Sequence, residues 1–176
     1  MVELYLRSPL GHRAGDLARL DAVEVAHLAQ IGVRCAAPDA TRVGLPAEPN
    51  SVAGGADRGV LWMGPDEWLV VGLPGSAPAI VGEFEAALAG TRHAVVDVSA
   101  NRAVIELRGT SRHAMLASGC GLDLEPAGGW APGRCAQTLF ARAQVLLQEM
   151  ESATRVFVRP SFANYVADRL LATRRE

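Results

Sequence analysis

AVVDVSANRAVIELRGT, residues 94–110, is the stretch that decides the fold. Its first part, Ala94 to Val98, is β-branched and apolar, and Ser99-Ala100-Asn101 has the composition of a turn. From Arg102 to Arg108 the chain alternates. Ala103, Ile105 and Leu107 share one face, and Arg102, Val104, Glu106 and Arg108 share the other. That period of two predicts a strand in a sheet with one covered face. Gly109 breaks the strand, and Thr110 is placed to cap a helix running to about Ser118 with Met115 and Leu116 inward. Asp97 is read as holding the Ser99–Asn101 turn, with an acid/base role as its alternative.

The same ββα order occurs just upstream. Val60–Met63 and Trp68–Leu73 flank Gly64-Pro65-Asp66-Glu67, where Pro65 supplies the fixed φ of a type I turn. A helix follows over 78–89, with Ile80, Val81, Phe84, Ala87 and Leu88 inward and Gly90 after its end. Downstream, a Gly/Pro-rich connection over 119–133 leads into three strands, Arg134–Phe140, Gln144–Met150 and Thr154–Arg159. The last helix starts with Ser161 as cap and carries Phe162, Val166 and Leu170 as its buried stripe. Strand-like pieces precede all of this at Glu3–Leu6, Val23–Leu28 and Gln30–Cys35. Residues 36–59 show no periodicity and read as a long loop or linker. The division expected is an N-terminal arm and irregular linker over 1–59 and an α+β domain over 60–176. Strands adjacent in sequence, without strict βαβ alternation, predict antiparallel sheet with helices on one face.

A chain of 176 residues with 49% hydrophobic and 20% charged residues can build one substantial core. Its formal net charge of −2 offers no long-range attraction to nucleic acid or to an anionic membrane. All 17 basic residues are arginines. Arginine pairs bidentately with carboxylates and packs on rings, which suits protein contacts, and a Schiff-base lysine is excluded. Met1-Val2-Glu3-Leu4 does not open a secretory signal, and no apolar run approaches the roughly 20 residues of a membrane span. A cytoplasmic protein is expected.

The chemistry-bearing residues form no complete site. The three cysteines lack CxxC spacing, the four histidines form no ligand pair, and neither phosphate-binding glycine loops nor a Gly-x-Ser-x-Gly elbow occurs. No catalytic, cofactor or metal residue is therefore assigned to this chain. Cys120 lies between two glycines without a neighbouring base. His113 opens a helix and reads as structural or solvent-facing. Trp62 and Trp68 read as core or cross-strand partners. Trp130, held in a Gly/Pro loop, reads either as core or as a partner anchor. Arg134, Arg142, Arg155 and Arg159 on the C-terminal strands read either as solvated charges or as a docking face for an acidic partner.

Several spellings in fixed order carry a resemblance. Trp62-Met63-Gly64-Pro65-Asp66-Glu67-Trp68-Leu69 and the run Val96 to Gly109 resemble the gamma subunit of heterotetrameric sarcosine oxidase. Gly119-Cys120-Gly121-Leu122-Asp123-Leu124, Pro132 to Thr138, and Val158 to Tyr165 continue the match, which spans about residues 60–172. Gly121 stands where that family commonly has proline, and Val166–Leu170 lacks the tryptophans expected there. The family is similar to a shortened folate-binding domain of the glycine-cleavage aminomethyltransferase, which agrees with the antiparallel α+β order. The resemblance implies a non-catalytic subunit supporting larger alpha and beta subunits and a small delta subunit. It also implies that FAD, FMN, NAD and tetrahydrofolate sit in those partners. A free-standing tetrahydrofolate-binding module is the alternative.

Overall fold

A computed structural model describes residues 7–173; the strand expected at Glu3–Leu6 lies outside the described residues. A 3-10 turn over Gly11–Arg13 runs into α1 (Ala14–Ala18), followed by β1 (Ala22–Glu24) and β2 (Ala29–Cys35). Then come α2 (Ala37–Arg42), β3 (Val52–Gly54), β4 (Arg58–Gly64), β5 (Glu67–Gly72), α3 (Ala77–Ala87) and β6 (His93–Asp97). The chain ends with β7 (Ala103–Arg108), α4 (Arg112–Ala117), β8 (Cys135–Phe140), β9 (Ala143–Glu149), β10 (Ala153–Val158) and α5 (Pro160–Ala172).

These strands form two five-stranded antiparallel sheets, ordered β1-β7-β10-β9-β8 and β3-β4-β5-β2-β6. The α+β, antiparallel class read from the sequence is what forms, as two sheets. Leu61, Leu69 and Val71 of one sheet pack with Val104, Leu146 and Phe157 of the other, so the sheets stack face to face. On the outer face of the first sheet, Ile105, Leu107, Leu147 and Val156 pack against Leu17, Leu116, Val166 and Leu170 of α1, α4 and α5. On the outer face of the second, Ile31, Val33 and Val70 pack against Ala40, Ile80 and Phe84 of α2 and α3. The layers are helices, sheet, sheet, helices, and each sheet keeps its helices on one side. Burying three such apolar layers is the main driving force of the fold, at roughly 25 cal/mol per Å² of apolar surface.

The second sheet changes several expectations. β7 is buried on both faces, because Val104 and Glu106 point toward the other sheet and not toward water. The strand expected over 23–28 is short: β1 pairs with β7 in one sheet and β2 with β5 and β6 in the other. Residues 25–28 make that crossing, with His27 in the left-handed region at φ 61. β2 lies between β5 and β6, so residues expected in the arm stand in the middle of a sheet. Where a structureless linker was read, α2 and β3 form. Pro38 occupies the first turn of α2, where its missing N–H costs nothing, and Ala40 is its buried residue.

In α5 the inward stripe is Ala163, Val166, Ala167 and Leu170. Phe162, expected in that stripe, is 45% exposed. The helix begins at Pro160 with Arg159 as its cap, and Ser161 does not fill that role. α4 likewise has Ser111 at the cap position, not Thr110, while Met115 and Leu116 turn inward as read. In α3, Ile80 and Phe84 are buried as expected, as is Leu88 at its C-cap, whereas Ala87 faces out.

Phe157 stands fully buried between the sheets. Phe157→Ala is expected to lower stability by about 3–5 kcal/mol, read as a lower midpoint in urea denaturation. A loss under about 1 kcal/mol would mean the intersheet layer collapses freely onto the gap.

Candidate functional site

Two buried carboxylates organise one end of the first sheet. Glu149, the last residue of β9, is 2% exposed. Its Oε1 accepts from Arg112 Nη2 at 2.9 Å and Nε at 3.3 Å, and His113 Nε2 lies 2.9 Å away. Its Oε2 accepts from the Trp130 indole Nε1 at 2.9 Å and from the Thr154 hydroxyl. β9 supplies the carboxylate, β10 the hydroxyl directly opposite it in register, α4 the two bases, and the 119–133 connection the indole. A buried carboxylate this fully bonded has its charge balanced by Arg112 and its lone pairs filled. It clamps α4 and the Trp130 loop to the sheet.

The second carboxylate, Glu106, faces the other sheet. Its Oε2 accepts from Arg155 Nε at 3.0 Å, and its Oε1 from Arg108 Nε and Nη2 at 3.0 and 2.9 Å. Arg155, opposite Glu106 in register, also donates from Nη1 to the Ala56 carbonyl at 3.1 Å, tying the β3–β4 loop to the first sheet. Gln148 lies opposite Arg155 on the next strand, and its Oε1 is buried without a hydrogen-bond partner among the described residues. These side chains line a cleft of about 530 Å³ between the β3–β4 loop, Pro132-Gly133 and the β9–β10 turn. Among the described residues no three His, Cys, Asp or Glu gather as a metal ion requires.

The sequence-predicted partner residues fall into three kinds. Trp130 is 7% exposed with its indole committed to Glu149, so it belongs to the core and not to a docking surface. Arg155 is 6% exposed and fixed to Glu106, so it too is withdrawn from any partner. Both corrections have one cause: the two sheets and the 119–133 connection close over this end. Arg134 is at the surface and paired with Glu48 at 2.7 Å. Arg142, in the β8–β9 turn, is exposed, and Arg159 is exposed with Nη1 on Asn101 Oδ1 at 3.0 Å. Glu149, Glu106, Arg112 and Thr154 were not singled out as a cluster. Their partners lie up to 49 residues away, a separation that leaves no local signal.

Other readings stand as made. Asp97 Oδ1 accepts from the Ser99 amide at 2.9 Å and its hydroxyl at 2.5 Å, holding the turn. Trp62 and Trp68 face each other across β4 and β5, and the Trp68 indole donates to the Pro46 carbonyl. His113 is structural through Glu149. Cys135 is fully buried, and burial pushes its thiol up to about 11. No helix among the described residues is long and apolar enough to cross a membrane.

The geometry defines a class first: a double-sheet α+β domain whose buried charges serve its own architecture. The same fold, at 15% identity, is found in the glycine cleavage system aminomethyltransferase T of Bartonella henselae, with a TM-score of 0.64 over 94% of this chain and 50% of that one. The family described as "Sarcosine oxidase, gamma subunit family" matches residues 25–174, and the chain belongs to it. The sarcosine oxidase subunit gamma of an Arthrobacter species is 37% identical over 156 residues, 80% of this chain and 75% of that one. That of Corynebacterium sp. strain U-96 is 34% identical over 94% of this chain and 88% of its own length. A structure of heterotetrameric sarcosine oxidase from Corynebacterium sp. U-96, in complex with pyrrole 2-carboxylate, matches with a TM-score of 0.85 and 31% identity, over 96% of this chain and 94% of the matched chain.

Glu149→Gln keeps the shape and removes the charge. It strands Arg112 without its counter-ion and is expected to cost about 3–5 kcal/mol in chemical denaturation. A neutral outcome would mean that Arg112 reaches solvent instead. The Cys135 thiol binds its proton more tightly folded than unfolded, so its contribution is present below its ordinary value of 9.0 and is lost as pH rises through about 11. Stability should therefore fall across that window, and Cys135→Ala should flatten the fall; equal slopes for both chains would assign the loss to other groups.

Proposed function

We propose that this chain is the gamma subunit of a heterotetrameric sarcosine oxidase, a non-catalytic component that supports assembly of the enzyme. The observation that carries the reading is the match to a heterotetrameric sarcosine oxidase structure over 96% of the chain at a TM-score of 0.85. The saturation of Glu149 and Glu106 supports it, because both buried carboxylates are spent on packing α4, the Trp130 loop and the β3–β4 loop. On this reading the alpha and beta subunits and the small delta subunit are the partners in the cytoplasm. They carry FAD, FMN, NAD and tetrahydrofolate and perform the oxidative demethylation of sarcosine. The free-standing tetrahydrofolate module is the weaker reading, since the chain aligns with relatives named as oxidase subunits along most of its length.

Affinity purification of the tagged chain from its native host is expected to recover larger subunits together with flavin absorbance. A colourless chain recovered alone would overturn the assignment.

A further inference from the structure

Several arginines of this fold meet a carboxylate. Arg34 reaches Glu67 at 2.5 Å, Arg58 reaches Glu83 at 2.7 Å, Arg134 reaches Glu48 at 2.7 Å and Arg13 reaches Asp168 at 2.7 Å. One end of the first sheet departs from this. In the antiparallel pairing of β7 and β10, Ala103 stands opposite Val158. The residue just before β7 and the residue just after β10 are both arginines, Arg102 and Arg159. Neither has a carboxylate partner among the described residues; Arg159 bonds only the neutral Asn101 amide. Glu67, whose charge acts favourably on Arg102, is already held by Arg34.

Two like charges at the adjoining ends of neighbouring strands oppose folding. Arg102 is half-buried, and burial and then the Arg159 charge both pull its pKa down from the ordinary guanidinium value. Among the described residues this like-charged pair makes no carboxylate ion pair, and the Glu67 charge offsets the repulsion at Arg102 only in part. Val145 of β9 stands opposite Val158, so the β8–β9 turn with exposed Arg142 lies at this same end of the sheet. Apolar surface accompanies the charge. Phe162, one helical turn beyond Arg159, is 45% exposed, and Leu139, near the end of β8, is 56% exposed. The start of α5 has no side-chain cap, so its backbone dipole adds to the positive character.

We propose that Arg102 and Arg159, flanked by Phe162 and Arg142, form the surface on which this chain docks an acidic segment of a larger partner subunit, one presenting carboxylates beside an apolar side chain. The proposal rests on the heteromeric reading above and adds the surface and the chemistry of what covers it. A carboxylate bridging the two guanidiniums turns mutual repulsion into paired, charge-assisted hydrogen bonds, for which the arginine fork is suited. Phe162 supplies the buried anchor that charge alone lacks, and aromatic and arginine side chains are the residue types enriched at such contacts.

The test uses the tagged chain in its native host. Wild type, the double variant Arg102→Glu/Arg159→Glu, the neutral double variant Arg102→Gln/Arg159→Gln, and a control reversal at exposed Arg19 are compared for co-purifying larger subunits. The charge-reversed double variant is expected to lose at least tenfold in recovered partner, the neutral one several-fold, and Arg19→Glu nothing. The isolated neutral variant is expected to melt at or above the wild-type temperature, because relief of repulsion does not harm the fold. Phe162→Ser should lower recovery without lowering the melting temperature. Wild-type recovery by both double variants overturns the docking surface while leaving subunit membership intact. Loss of recovery accompanied by a lowered melting temperature in the neutral variant overturns it also, since the pair would then be structural. If the wild-type chain itself recovers no partner, the heteromeric reading fails first.

Discussion

The Glu149 carboxylate is the constraint on which one whole side of the molecule depends. It sits at the end of β9 with almost no exposure, so its charge cannot be left to water. Arg112 balances it, and once Arg112 is drawn in, α4 is fixed across the outer face of the sheet. Trp130 and Thr154 fill the remaining lone pairs, which orients the 119–133 connection and keeps β9 and β10 in register. The apolar contacts of Leu116, Leu124 and Trp130 with the sheet then follow from a geometry that the polar cluster has selected. Hydrophobic burial supplies the magnitude, while the hydrogen-bonded charge decides the arrangement.

Much of this was legible in the sequence. The strands around residues 94–110 and 134–159, the helix after Ser76 and the final helix all follow from period-two and helical spacing, and their ends move by only a few residues. What failed was the sense of direction. Arg102, Glu106 and Arg108 alternate with apolar residues, which is how a water-facing strand face reads. Yet Glu106 is buried against Arg155 from a strand about 50 residues on. A polar side chain looks the same in sequence whether it meets water or a distant counter-charge. Trp130 shows the same limit, because a Gly/Pro loop gives no hint of where its aromatic turns. In α5 the bulk of Phe162 suggested an inward position, but Ala163 and Ala167 complete the face that Val166 and Leu170 begin, and small residues announce burial weakly. The family spellings, being local and ordered, were untouched by these errors.

The cleft beside Glu106 and Gln148 belongs to the seam where the sheets meet. Gly59 of β4 lies so close to the Gln148 amide that a Cβ there would come within 3.2 Å of Nε2. Across the same seam, the Cys135 amide donates to the Asn50 carbonyl at 2.8 Å and the Val52 amide to the Gly133 carbonyl at 2.7 Å. Backbone bonds thus stitch the edge of one sheet to the other, and the two layers are fastened along one side by β3 and β8.

The order in which the strands are used has a temporal side. The chain lays down β1, spends β2 to β6 on the second sheet, and only then returns to complete the first. Val23 must wait for Glu106 before it has a neighbour to bond. During synthesis the second sheet can therefore assemble from contiguous chain while β1 is still without its mate. Closing a loop of that size is entropically modest but slow to search. A ribosome-bound fragment ending before β7 contains every strand of the second sheet but none of the residues of β7, β9 and β10 that cover Leu61, Leu69 and Val71 in the complete fold.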